Sequence, residues 1–163
     1  MVGPLFSLIL SFCYFCIMEK DSIYPIDIKK MQRLPLLENL IPAGFPSPAQ
    51  GFPSESIDLN KELIAHPAAT FCVRVSGNSM IDCGISDGDL LIIDKSLPAC
   101  DGAIAVCFID GEFTLKTLSI RQDGLYLKPA NPEYPELKVN EESNFQVWGI
   151  VSYIIKSATN KKF

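Results

Sequence analysis

Residues 103–118 read AIAVCFIDGEFTLKTL, and this stretch decides the fold class. Two runs of strand-forming residues, 103–109 and 112–118, are separated only by Asp110 and Gly111. A two-residue Asp-Gly loop suits a type I′ turn, whose twist matches that of two antiparallel strands. The stretch therefore predicts a β-hairpin.

Other segments of strand character lie on both sides of this hairpin, and turn residues such as Asp123-Gly124 separate them. They are residues 70–76, 89–94, 125–128 and 145–155. Short strands with turns between them are typical of antiparallel sheets. We therefore predict a mainly β domain over residues 68–157, followed by a short tail at 158–163.

The chain before this domain has a different composition. Residues 35–53 contain five prolines and two glycines, which predicts an extended, solvent-accessible linker. A short helix is predicted over residues 59–65, with Asp58 as its N-cap and Pro67 ending it. Residues 18–67 are interpreted as a flexible N-terminal arm.

Residues 1–17 form a hydrophobic extension without any charged side chain. The run is short for a transmembrane helix, which needs about 20 residues. It also lacks the preceding basic residue and the small-residue cleavage site of a secretory signal. We interpret it as upstream sequence with Met18 as the true start; a membrane anchor and a buried helix are the alternatives.

Charge and residue counts exclude several classes of protein. A formal charge of −5 disfavours tight binding to nucleic acid. The single histidine, His66, is expected to cap or pack near the short helix, and we predict no metal site and no cofactor.

Other notable residues are expected to have structural roles. Trp148 is expected in the core or a dimer interface. Two further groups are interpreted structurally: Asp82, Asp87 and Asp89 as turn residues, and Cys72, Cys83, Cys100 and Cys107 as small apolar residues.

Ser79 lies in a glycine-containing turn directly after a predicted strand. Such a turn can present a hydroxyl beside free backbone N–H groups, which is the geometry of an oxyanion hole. The N–H groups of Asn78 and Ser79 are the candidate donors.

A serine nucleophile also needs a base, and Lys116 is the substitute for histidine in this chain. We expect Lys116 to lie among Phe113, Leu115 and Leu118 on its strand. Desolvation there would lower the pKa of its ammonium group and make the amine a usable base.

Two segments together resemble the LexA/UmuD family of self-cleaving serine peptidases. They are residues 77–94, GNSMIDCGISDGDLLIID, and residues 110–116, DGEFTLK. The resemblance extends to GFPSP at 44–48, IDLN at 57–60 and HP at 66–67, and so covers about residues 40–155. It implies a coiled antiparallel β-sheet of the LexA and signal-peptidase kind. It also implies that Ser79 is the nucleophile and Lys116 the general base of a Ser-Lys dyad.

The same resemblance implies that the chain cuts its own peptide bond between Ala43 and Gly44. Ala43 is small enough for its carbonyl to approach a serine, and Gly44 has no Cβ to clash. Without the dyad we would interpret this segment as a linker. Cleavage within one subunit and cleavage of a partner's arm both remain open.

Within the family, the accessory-subunit branch is favoured over the repressor branch. If Met18 is the start, too few residues precede Ala43 for a winged helix-turn-helix domain. This branch implies a cytoplasmic homodimer whose cleavage is stimulated by a RecA–single-stranded DNA filament. The cleaved form would join a Y-family polymerase in error-prone synthesis across DNA lesions.

Three alternatives remain at this stage. The chain could be a fragment of a LexA-type repressor, or a structural partner protein with an inactive dyad. It could also be a signal-peptidase-like membrane enzyme anchored by residues 2–18. Against that last alternative, Thr117 follows Lys116 where those enzymes usually carry arginine, and their later Gly-Asp motif is missing.

Overall fold

The computed structural model describes residues 23–26, 33–36 and 55–159. In these ranges the chain forms one helix, one short 3-10 turn and ten strands. The strands are β1 (Ile23–Pro25), β2 (Arg33–Leu36), β3 (Glu55–Asp58), β4 (Thr70–Arg74), β5 (Leu90–Asp94), β6 (Ile104–Ile109), β7 (Glu112–Arg121), β8 (Gly124–Lys128), β9 (Leu137–Lys138) and β10 (Phe145–Ile155). Helix α1 covers Leu59–Leu63, and the 3-10 turn covers Ile81–Cys83.

Eight of these strands form one antiparallel sheet in the order β1-β4-β5-β10-β6-β7-β8-β9, and β2 pairs separately with β3. The prediction of a mainly β, antiparallel fold is confirmed. Three pairings were not predicted. Strand β1 joins the edge of the sheet although it lies in the arm, β2 takes in the start of the proline-rich segment and pairs with β3, and β9 pairs with β8 at the other edge.

The hairpin that decided the fold class is present between β6 and β7. Asp110 and Gly111 have φ values of 49° and 98°, both positive as a type I′ turn requires. The carboxylate of Asp110 accepts a hydrogen bond from the N–H of Asn144 at 2.9 Å. The turn is therefore tied to the segment that leads into β10.

Two hydrophobic clusters cover the two faces of the sheet. Alternation along β6 separates them, because Val106 packs in the first cluster while Ala105 and Cys107 pack in the second. The buried members of the first are Met80, Ile85, Leu91, Ile93 and Val106; those of the second are Ala105, Cys107, Leu118, Leu127 and Ile150. The sheet thus has apolar contacts on both sides at its centre.

Helix α1 begins as predicted, since the carboxylate of Asp58 accepts a hydrogen bond from the N–H of Asn60 at 3.1 Å. It ends two residues earlier than predicted. His66 does not cap it: its Nδ1 lies 2.7 Å from Oδ2 of Asp94, at the end of β5. His66 therefore attaches the segment after α1 to the sheet.

Candidate active site

The turn that carries Ser79 follows β4 and is held by contacts at both ends. Gly77 has a φ of 91°, which favours glycine, and its N–H donates to Oδ1 of Asp87 at 2.9 Å. The carbonyl of Ser79 accepts a hydrogen bond from the N–H of Ala130 at 2.9 Å. Met80, the next residue, is buried in the first hydrophobic cluster. Ser79 itself is half-buried.

Lys116 reaches this turn from the middle of β7. Its Nζ donates to Oγ of Ser79 at 3.2 Å, to Oγ1 of Thr114 at 2.9 Å and to the carbonyl of Leu115 at 3.0 Å. The structure thus brings together the serine and the lysine that the sequence analysis singled out. All three ammonium protons have an acceptor in this arrangement.

The surroundings of Lys116 differ in part from those expected. Phe113 and Leu115 pack on the opposite face of β7, because side chains alternate along a strand. The expectation that both would surround the amine is therefore wrong. Leu118 lies on the same face as Lys116, and Ala105 is the cross-strand partner of Lys116. Burial lowers the pKa of Lys116, since the charged form loses solvent.

The backbone around Asn78 leaves donors available. Neither the N–H of Asn78 nor that of Ser79 donates a hydrogen bond within the described part of the chain. The carbonyl of Asn78 accepts from Nδ2 of Asn131 at 3.0 Å and from the N–H of Ile81 at 3.3 Å. The geometry is compatible with an oxyanion hole formed by Asn78 and Ser79, which remains a prediction.

A second serine–lysine contact lies elsewhere in the molecule. Nζ of Lys156 donates to Oγ of Ser86 at 3.1 Å and also to Oδ2 of Asp89 at 2.6 Å. Burial raises the pKa of Asp89, but the hydrogen bonds from Lys156 and Ser86 and the charge of Lys156 outweigh it, so the net pKa is lowered. Lys156 is thus an exposed lysine paired with a carboxylate, whereas the acceptors of Lys116 are all neutral.

Sequence reasoning missed three side chains that support the turn or the lysine. Thr114 shares a face with Lys116, and the two-residue spacing could have indicated it. Asp87 was interpreted as a turn residue only, although its carboxylate holds Gly77. Asn131 was assigned to a loop, and no local pattern indicates its contact with Asn78, 53 positions away.

The cysteines and Trp148 agree only in part with what the sequence predicted. Cys107 is buried as expected, and burial raises the pKa of its thiol to about 12, whereas Cys83 and Cys100 are exposed and do not act as apolar residues. Trp148 packs against the first cluster and stacks on Phe71, and Nζ of Lys95 lies 3.8 Å from the centre of the Trp148 ring. Its suggested place in a dimer interface remains untested.

The peptide bond between Ala43 and Gly44, predicted as the cleavage site, lies outside the described residues.

Within the described ranges, no cluster of three or more histidine, cysteine or acidic side chains is arranged to hold a metal ion. In those same ranges, no helix has the length and apolarity to cross a membrane.

Comparison with protein families identifies the class. The peptidase S24-like family model matches residues 35–152. The chain therefore belongs to the peptidase S24-like family, which confirms the resemblance to LexA and UmuD proteins and makes this a protein of the serine peptidase type.

Relatives within the family are similar over most of the chain. Protein MucA of Salmonella typhimurium is 37% identical over 137 residues, which cover 83% of this chain and 93% of MucA. Protein SamA of Salmonella typhimurium strain LT2 is 43% identical over 121 residues, covering 74% of this chain and 84% of SamA. The LexA repressor of Stenotrophomonas maltophilia is 35% identical over 124 residues, but these span only 58% of that repressor.

Proposed function

We propose that this protein is a self-cleaving serine peptidase of the SOS response, in which Ser79 and Lys116 cut the chain between Ala43 and Gly44. The observation that carries the proposal is the 3.2 Å contact between Nζ of Lys116 and Oγ of Ser79. Membership of the S24-like family and similarity to MucA, SamA and a LexA repressor support it.

The reaction begins with the neutral amine of Lys116. Oγ of Ser79 attacks the carbonyl carbon of Ala43 while its proton passes to Nζ of Lys116. The N–H groups of Asn78 and Ser79 stabilise the negative oxygen that forms. Lys116 then gives its proton to the nitrogen of Gly44 as the C–N bond breaks, which leaves Ala43 as an ester on Ser79.

Water completes the reaction. Lys116, again neutral, removes a proton from a water molecule that attacks the ester carbonyl. The C–O bond to Ser79 breaks and the proton returns from Lys116 to Oγ. Ala43 leaves as a carboxylic acid, which gives the second proton of the water to solvent and becomes a carboxylate. The products are a short N-terminal piece and a chain that begins at Gly44.

The contacts of Lys116 suit this cycle in both protonation states. Thr114 and the carbonyl of Leu115 are acceptors for two N–H groups of the neutral amine. The remaining lone pair can then face Oγ of Ser79 and accept its proton. The half-buried position lowers the pKa of Lys116 and so raises the fraction of neutral amine at a given pH.

The proposal also covers the partners of the protein in the SOS response. We propose that the protein is a cytoplasmic homodimer and that a RecA–single-stranded DNA filament stimulates the cleavage. Loss of the arm then allows the remaining chain to join a Y-family polymerase as its accessory subunit. Partner binding by the cleaved form is its working role, and the acidic charge of the chain fits action through protein partners.

Mass spectrometry of the purified full chain, incubated at pH 7 and at pH 10, tests the cleavage. We expect two fragments that meet between Ala43 and Gly44, formed faster at pH 10. Ser79→Ala and Lys116→Ala should stay intact. Ser86→Ala and Lys156→Ala change the second serine–lysine contact in the same way and should cleave like the unsubstituted protein.

Two results would contradict the proposal. One is cleavage that persists in both Ser79→Ala and Lys116→Ala. The other is an unsubstituted protein that stays intact at pH 10 even when activated RecA filament is added. Binding of the cleaved form to a Y-family polymerase, measured beside the intact Ser79→Ala protein, tests the partner role separately.

A further inference from the structure

The peptide unit that joins Asn78 to Ser79 is held by a hydrogen bond to its carbonyl oxygen, which lies on the opposite side from its N–H. Its carbonyl oxygen accepts the hydrogen bond from Nδ2 of Asn131 at 3.0 Å. The described residues contain no cis peptide bond, so this unit is trans and planar. In such a unit the C=O and the N–H point in opposite directions. A contact that fixes the carbonyl of Asn78 therefore also fixes the direction of the N–H of Ser79.

Asn131 is itself oriented by its own loop. Its Oδ1 accepts a hydrogen bond from the N–H of Glu133 at 2.9 Å, which is an Asx turn. Its carbonyl accepts from the N–H of Tyr134 at 3.1 Å. Because Oδ1 is engaged in the loop, the amide nitrogen is the end that faces Asn78.

The loop after β8 contacts the turn at two further points. The N–H of Ala130 donates to the carbonyl of Ser79 at 2.9 Å, and the N–H of Asp82 donates to the carbonyl of Ala130 at 2.8 Å. These backbone bonds fix the distance between the loop and the turn. Among the contacts from this loop, the one that acts on the peptide unit between Asn78 and Ser79 comes from the side chain of Asn131.

We infer that Asn131 is a positioning residue for the oxyanion hole: its amide orients the N–H of Ser79 towards the oxygen that becomes negative in the reaction. The inference rests on the proposed function. Hydrogen bonding to the carbonyl also polarises the peptide unit, which makes the N–H of Ser79 a stronger donor. The bond from Ile81 to the same carbonyl is longer, at 3.3 Å, and comes from within the turn itself.

Asn131→Asp is the most selective variant. An aspartate keeps an oxygen for the N–H of Glu133, but it has no N–H for the carbonyl of Asn78 and places an acceptor against that carbonyl. We expect the plateau of the self-cleavage rate at high pH to fall about 10- to 100-fold, less than the roughly 100- to 1000-fold cost of removing an oxyanion donor, because the N–H of Ser79 is still present.

Two further variants separate the lost hydrogen bond from the added charge. Asn131→Ala, which is neutral, should show a similar loss of plateau rate with an unchanged midpoint of the pH profile. Asn140→Asp adds the same charge at an exposed loop position and should cleave like the unsubstituted protein. A loss confined to Asn131→Asp, or a wild-type plateau in both Asn131 variants, would overturn the inference.

Amide NMR tests the contact without any cleavage. In the Ser79→Ala background, Asn131→Asp should shift the amide signals of residues 78–80, whereas Asn140→Asp should leave them in place. Unchanged signals would overturn the inference regardless of activity. Shifted signals support the contact; if the unsubstituted protein is nevertheless never cleaved, the proposed function is what fails.

Discussion

Nζ of Lys116 lies 3.2 Å from Oγ of Ser79, although the two residues are 37 positions apart and lie on different elements. The second serine–lysine contact, between Ser86 and Lys156, has nearly the same length but includes the carboxylate of Asp89. The difference between the two pairs is therefore electrostatic. Lys116 is half-buried with neutral acceptors, and burial lowers its pKa, whereas Lys156 is exposed and lies beside a carboxylate.

The pH dependence of self-cleavage should reflect Lys116. Burial lowers its pKa below the ordinary 10.5, and the neutral amine is the active form, so the rate should rise with pH. The rise should be about tenfold per pH unit below the pKa, and the midpoint of the profile should lie below pH 10.5. Rates from gel densitometry between pH 6 and pH 11 measure this. Lys156→Ala should keep the same profile, and a midpoint at or above 10.5 would contradict the prediction.

Thr114 should hold the amine in place for proton transfer. Thr114→Val keeps the shape of the side chain but removes the oxygen that accepts from Nζ of Lys116 at 2.9 Å. We expect a plateau rate about 10-fold lower, because a misplaced catalytic group loses rate steeply. Thr114→Ser restores the oxygen and should recover most of the rate. Equal rates for the valine and serine variants would show that the contact does not matter.

The described cysteines should differ in their reactivity towards iodoacetamide. Cys83 and Cys100 are exposed, whereas Cys107 is buried and its pKa is raised to about 12. At pH 8 the two exposed thiols should be alkylated in the folded protein, because the thiolate is the reactive form and must be accessible. Cys107 should react only after denaturation. Peptide mapping by mass spectrometry measures each site, and labelling of Cys107 at the rate of Cys100 would refute this.

Asp94 should contribute to stability at neutral pH. Burial raises its pKa, but hydrogen bonds from Ser96 and His66 and the charge of His66 outweigh burial, so the net pKa is lowered. A lowered carboxyl pKa adds stability above the unfolded value of about 3.9, and this is lost as the pH falls through the folded value. We expect Asp94→Asn to lower the free energy of unfolding by about 1.5–3 kcal/mol at pH 7.

Urea denaturation at pH 7 and at pH 3 measures this effect. The difference between Asp94→Asn and the unsubstituted protein should be smaller at pH 3. Asp82→Asn changes an exposed carboxylate and should alter stability little at either pH. A difference for Asp94→Asn that grows as the pH falls would contradict the assignment.

A side chain at position 149 should destabilise the folded protein. A Cβ there would lie 2.6 Å from Cγ2 of Ile93, in the core between β10 and β5. Gly149→Ala should therefore lower the free energy of unfolding by about 1–3 kcal/mol. Thermal unfolding followed by circular dichroism measures the change, and an unchanged midpoint would show that Ile93 moves aside without cost.

Local features of the fold were predictable because neighbouring residues determine them. The Asp110-Gly111 turn needs two positive φ values, and the adjacent apolar runs supply the strands. The N-cap at Asp58 likewise depends on a residue two positions along. The short strand β1 was missed because its pairing partner, β4, lies far along the chain.

By itself, the sequence determined the mainly β class and the hairpin, and through its family resemblance it pointed to Ser79 and Lys116. The residue pattern alone does not show which serine and lysine lie side by side, because Ser79 and Lys116 are 37 positions apart and Ser86 and Lys156 are 70 positions apart. Only the tertiary structure decided which lysine is desolvated and which lies beside a carboxylate. Only the folded chain brings Asn131 to the carbonyl of Asn78, because burial and long-range contacts depend on how the strands pair.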